Sequence, residues 1–186
     1  MNTAIIPGSI GAIAKREGMS LAESFANCDV VILVDVSASM NADDSRNGRS
    51  RYDVACEELA ILQNGNPGKI AVLAFSNSTV FVPSGLPPKM FGGTDLRGAL
   101  EFARMADTGD IRFVVISDGQ PDDQDGALRE ASKYKGRIDV VYVGPETDRY
   151  ARDFLTKLAN TRGGLAVTAD RAAELASQTQ RLLLSA

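Results

Sequence analysis

Uninterrupted β-branched and aliphatic runs constrain this chain more than any other feature. Val30-Val31-Ile32-Leu33-Val34 has no polar residue to turn toward water, so a strand built from it must be covered on both faces. Residues 69–75, 113–116 and 138–143 repeat the pattern, and Leu165-Ala166-Val167 gives a short further strand. Thr79-Val80-Phe81-Val82 follows the second run after only Ser76-Asn77-Ser78, too few residues for a helical crossover. It is predicted to fold back as an antiparallel partner at the sheet edge.

Apolar stripes of helical period lie between the runs. Tyr52, Ala55, Cys56, Leu59 and Ala60 share one face, as do Leu96, Ala99, Leu100 and Ala103. Ala127, Ala131 and Tyr134 form another, and Ala151, Phe154, Leu155, Leu158 and Ala159 a strong one. Leu175, Ala176, Thr179, Leu182 and Leu183 predict a closing helix over residues 170–184. Thr94, Asp122 and Asp170 stand where N-caps are expected. The alternation predicts an α/β fold: a doubly wound, mostly parallel six-stranded sheet with one short antiparallel edge strand and helices on both faces.

Residues 1–27 read as an N-terminal extension and 28–186 as the main domain. Ser20-Leu21-Ala22-Glu23 has the form of a capping box, predicting a short helix packed on the domain, whereas Gly8, Gly11 and Gly18 argue against a longer helix upstream. A chain of 186 residues can bury such a core without staples. Cys28 and Cys56 are predicted to lie beyond the ~7 Å reach of a disulfide, because the strand carries the chain roughly 23 Å and the helix returns only about 9 Å. They read as two small buried hydrophobes in a reducing compartment.

Composition narrows the chemistry. There is no histidine, which removes Ser–His–Asp and Cys–His catalysis and imidazole-ligated metals. Twenty basic against 24 acidic side chains give a net charge of −4 with no basic block, so nucleic acid is not expected as a partner. No apolar run reaches the ~18 residues of a membrane span, and no signal peptide is recognisable, so no membrane contact and a cytoplasmic location are expected.

In an open α/β sheet, ligands bind beyond the carboxyl ends of the strands, at a switch in strand order. There the first strand ends in Asp35-Val36-Ser37-Ala38-Ser39, where alternate residues can converge on one point. The strand over 113–116 runs into Ser117-Asp118-Gly119, and Gly92-Gly93-Thr94-Asp95 sets a hydroxyl at a helix start. One such element alone is an ordinary turn or cap; together they form an all-oxygen set suited to Mg²⁺ or Mn²⁺.

These three motifs resemble the metal-ion-dependent adhesion site of the von Willebrand factor A domain family, and the order of elements agrees over about residues 28–184. The resemblance implies a non-enzymatic protein-binding module that captures an Asp or Glu carboxylate of a partner through a bound Mg²⁺ (or Mn²⁺). It implies Ser37 and Ser39 as direct ligands, Asp35 and Asp118 acting directly or through water, and Thr94 as a ligand in the competent state. A single chain is expected to be a monomer. Some members of that family work beside intracellular ATPases, chelatases or stress-response proteins, so a docking subunit is an alternative. A Mg²⁺-dependent phosphohydrolase with Asp35 as nucleophile is another, but Ser37 stands where such chemistry wants a second acid, and only Lys89 is near the strand-end loops. Asp43 and Asp44 read as a solvated loop, with a second ion or a partner contact as the alternative. Met90 and Phe91 fit equally a partner-facing rim or a tucked apolar anchor.

Overall fold

The computed structural model describes residues 5–119, 121–145, 147–168, 177 and 179–181. Its centre is a six-stranded sheet: β1 (Val30–Asp35), β2 (Ile70–Phe75), β3 (Thr79–Phe81), β4 (Arg112–Ser117), β5 (Ile138–Tyr142) and β6 (Ala166–Thr168). The spatial order is β3-β2-β1-β4-β5-β6, with every pairing parallel except β2 with β3. Chain order grows leftward from β1 to β2 and β3, then resumes on the other side at β4. The switch in direction falls between β1 and β4, and their carboxyl ends lie side by side, since Val34 pairs with Ile116.

Every residue of β1 and β2 is buried, as runs without polar alternation require. Val31, Leu33, Phe113 and Val115 face one core layer, which is closed by α4 (Leu96–Ala103), α5 (Gln124–Ala131) and α6 (Arg149–Asn160). Val30, Ile32, Val34, Val114 and Ile116 face the other, closed by α3 (Arg51–Gly65). Each such side chain contributes roughly 1.5–3 kcal/mol on leaving water. The predicted stripes of α4 and α6 are the buried faces observed, and Ala127, Ala131 and Tyr134 are likewise buried. The Tyr134 hydroxyl donates to the Leu100 carbonyl (2.6 Å) and its ring meets Phe113 edge-on.

On α3 the expected stripe is rotated. Val54, Ala55, Leu59 and Leu62 pack on the sheet, while Tyr52, Cys56 and Ala60 are only half-buried. Tyr52 instead anchors the following loop by donating to the Pro87 carbonyl (2.5 Å). Both cysteines are free, but only Cys28 is a core residue; Cys56 lies partly open. Burial pushes both thiols up to about 11.

The N-terminal segment holds two helices rather than one. α2 (Leu21–Ala26) begins in the expected capping box between Ser20 and Glu23. Upstream, α1 (Ile10–Glu17) forms despite its glycine, capped by Ser9 at the start and closed by Gly18 in the left-handed region at φ 70°. The glycines serve close approach here. A Cβ on Gly11 would stand 2.5 Å from the Pro83 carbonyl oxygen, and one on Gly8 2.2 Å from that of Gln63. Ile10 reaches the core beneath the α4 side of the sheet. The closing helix expected over residues 170–184 lies outside the described residues, except 177 and 179–181, which are helical. Among the described residues no helix is long and apolar enough to cross a membrane.

Candidate metal centre

Asp35 is the last residue of β1 and is fully buried, with both carboxylate oxygens engaged. Oδ1 accepts from the backbone N–H of Ser37 (2.9 Å), and Oδ2 accepts from the hydroxyl of Ser117 (2.6 Å) at the end of neighbouring β4. The first bond folds the chain over the strand end and sends residues 38–41 into a short 3₁₀ turn. Burial pushes the Asp35 carboxyl up to about 6, with the nearby Asp118 charge adding to the rise, against the bonds from Ser117 and Ser37.

Within that turn the Ser37 and Ser39 hydroxyl oxygens lie 3.2 Å apart. Ser37 is buried and Ser39 faces outward, so the pair spans the boundary between core and solvent. The Ser39 hydroxyl donates to Oδ1 of Asp118 (2.9 Å), which joins the β1 loop to the β4 loop across the switch point. Asp35, Ser37, Ser39 and Asp118 are thus brought into one connected cluster.

Thr94 shares no hydrogen bond with these four; its backbone is held by the loop before α5. Its N–H donates to Oδ2 of Asp122 (3.1 Å), and its carbonyl accepts from the Asp122 N–H (3.1 Å). The N-cap of α4 is Asp95, whose side chain accepts from the Gly98 N–H, and the N-cap of α5 is Asp123 rather than Asp122. The capping roles expected at Thr94 and Asp122 are therefore each displaced by one residue. Asp170 lies outside the described residues. The loop carrying Thr94 meets the β1 loop where the Ala38 N–H donates to the Gly92 carbonyl (3.3 Å). Gly92 holds φ 130° there, and a Cβ on it would overlap the Asn77 amide, whose oxygen accepts from the Gly93 N–H (2.7 Å).

Arg51, the first residue of α3, lies outside all three motifs. Its guanidinium grips Asp44 with two bonds of 2.8 Å and donates through Nη1 to Oδ2 of Asp118. The residue is only 6 % exposed, and its bonds to Asp44 and Asp118 hold its positive charge still more firmly than usual. Asp44 is therefore a partner of the site rather than a solvated loop residue; Asp43 is exposed. A sequence signal did exist: a basic residue at the first helical position opposes the helix dipole, so Arg51 needs a carboxylate nearby. The neighbouring loop is also resolved. Met90 packs against the α3-side core, whereas Phe91 is 70 % exposed beside the Gly92 contact.

The donor set can be tested against a hard divalent cation. Adjacent ligands of an octahedral Mg²⁺ with bonds of ~2.1 Å stand about 3 Å apart, close to the spacing of the two serine oxygens. Asp35, Asp118 and Asp44 with Arg51 sum to two net negative charges, matching the ion. Among the described residues no group of three or more Asp, Glu or Cys side chains is gathered for a metal. The oxygen donors gathered here are two hydroxyls and two carboxylates, a set of the chemistry that hard divalent cations take.

No family model and no curated protein sequence matches the chain. Solved structures do. An aerotolerance-related membrane protein from Bacteroides fragilis superposes with a TM-score of 0.63 at 16 % identity, covering 86 % of this chain and all of its own. The VWA domain of SpRpn10 gives 0.57 at 16 % identity, over 80 % of this chain and 93 % of that one. A von Willebrand factor type A protein from Catenulispora acidiphila gives 0.56 at 20 % identity, over 83 % of this chain and 42 % of its own. The likeness is one of architecture: six strands, one antiparallel edge and helices on both faces make this the fold of a von Willebrand factor A domain.

Proposed function

We propose that the protein is a metal-dependent binding module that captures a carboxylate of a protein or peptide partner through Mg²⁺ or Mn²⁺ held at the β1–β4 switch. The observation that carries this reading is the pair of hydroxyls 3.2 Å apart, backed by Asp35 and Asp118 at the carboxyl ends of adjacent strands. Ser37 and Ser39 would be the direct ligands. Asp118 would orient Ser39 by accepting the hydrogen bond of its hydroxyl, leaving the oxygen lone pairs for the ion. Asp35 would act through water or through the turn it holds, and Thr94 would complete the set from the α4 loop. Bound there, the ion supplies a positive centre with open positions, where a partner's Glu or Asp can enter without an unpaired charge being desolvated. Docking within a larger assembly would use the same surface.

The phosphohydrolase alternative is disfavoured by geometry. Asp35 is fully buried with both oxygens engaged, so it offers no nucleophile to a substrate. Lys89 lies over the Tyr52 ring, 5.2 Å from its centroid and 4.0 Å from Asp53, occupied elsewhere.

An array of Asp- and Glu-containing peptides, probed with the purified protein in Mg²⁺ and in EDTA, tests the reading. Acidic peptides should be retained in Mg²⁺ and released by EDTA or by Ser39→Ala. Retention unchanged in chelator would overturn it.

A further inference from the structure

The arginine at the start of α3 has no part in the ligand set, yet it is the strongest charge beside it. Arg51 is 6 % exposed, and Asp118 is 3 % exposed with its side chain wholly buried. A buried guanidinium must be paired, and this one divides its donors between two carboxylates: Nε and Nη2 on Asp44, Nη1 on Asp118. Both Asp118 oxygens are then engaged, Oδ1 by Ser39 and Oδ2 by Arg51.

The geometry points to Arg51 as a built-in counter-cation that sets the divalent-ion affinity of the candidate site, with Asp44 as the residue that moderates it. This inference rests on the ion-binding reading above and adds the element that tunes it. A positive charge on Oδ2 keeps Asp118 from turning that oxygen to the ion, so Asp118 acts only through Ser39. The same charge repels the ion directly. Asp44 offsets part of the repulsion and draws the guanidinium toward its own side.

Two substitutions move affinity in opposite directions, which a merely structural role would not do. Arg51→Met removes the competing charge and frees Asp118. One carboxylate and two hydrogen bonds separate the guanidinium from the Ser39 oxygen, so its charge lies within roughly 8 Å of the ion, where its removal tightens binding about tenfold or more. Asp44→Asn leaves Arg51 wholly on Asp118 and uncompensated, and affinity falls by about threefold, the smaller size reflecting a partly exposed and more distant charge.

Calorimetric titration of Mn²⁺ and of Mg²⁺ into the full chain, wild type against each variant, reads these shifts, with melting curves recorded in EDTA. Tighter binding by R51M with weaker binding by D44N supports the inference. Wild-type binding accompanied by equal or weaker binding of a folded R51M overturns it and leaves the site itself standing. No ion binding by wild type or R51M overturns the site reading as well. If R51M fails to fold, D44N decides alone: an affinity unchanged or raised overturns the inference, and a loss of about threefold upholds it.

Discussion

Asp35→Asn separates what the site needs from what the fold needs. The Asp35 carboxyl is buried and pushed from an ordinary value of 3.8 up to about 6. A group whose folded pKa is raised favours the fold while it is protonated, and that contribution is lost as pH rises through the folded value. In metal-free protein the ionised Asp35 is thus a burden at neutral pH, of about 3 kcal/mol for a rise of about two units. Asparagine is nearly isosteric, can still accept the Ser37 N–H, and never ionises. In EDTA, Asp35→Asn should melt at the same temperature as wild type near pH 4 and progressively above it between pH 4 and 7. A chain of this size gains about 2–4 °C per kcal/mol, so the full difference is about 6–12 °C as a ceiling. Added Mg²⁺ should then raise wild type more than the variant, because the ionised carboxylate strengthens the hold of the serine oxygens on the ion. Differential scanning calorimetry across pH, with and without Mg²⁺, reads all of this. A variant less stable than wild type at pH 7 in EDTA would refute the reasoning, since burial of the charge would not then be the dominant cost.

Other perturbations test single contacts. Asp95→Ala should lower stability by about 1 kcal/mol through loss of the α4 cap, while Thr94→Ala should leave the EDTA melting curve nearly unchanged and weaken Mn²⁺ binding measured by calorimetry. Gly11→Ala should be destabilising well beyond the usual surface range of ±0.5 kcal/mol in urea unfolding, because the new methyl meets the Pro83 carbonyl. Tyr134→Phe should cost about 1 kcal/mol by the same measurement, the hydroxyl being bonded to Leu100 within the core. Asp118→Ala should abolish acidic-peptide retention where Asp43→Ala leaves it intact, since Asp43 is exposed and Asp118 holds Ser39.

The sheet was legible because its strands are covered on both faces, which leaves continuous apolar runs that nothing else in a chain of this composition explains. The hairpin at β3 followed from loop length alone. Cap positions were harder. Thr94 and Asp95 are both good caps, as are Asp122 and Asp123, and only the path of the backbone decides which member turns inward. Helix α1 was obscured because glycine's cost in a helix is local, whereas its benefit against Pro83 comes from residues far along the chain. On α3 the apolar stripe marks only part of the inner face, at Ala55 and Leu59, because Arg51 and Glu58 are buried there as charged residues. The oxygen ligands could be picked out by their places at strand ends. Arg51 could not be picked out by spacing, since its partners Asp44 and Asp118 come together only in three dimensions.

The central claim concerns one point in space, and crystals soaked in Mn²⁺ address it most directly through the anomalous signal of the metal. The account predicts a single strong peak at about 2.2 Å from both serine hydroxyl oxygens, Ser37 and Ser39, lost in Ser39→Ala. A peak seated instead on Asp43, or no peak beside those hydroxyls at saturating Mn²⁺, would contradict it.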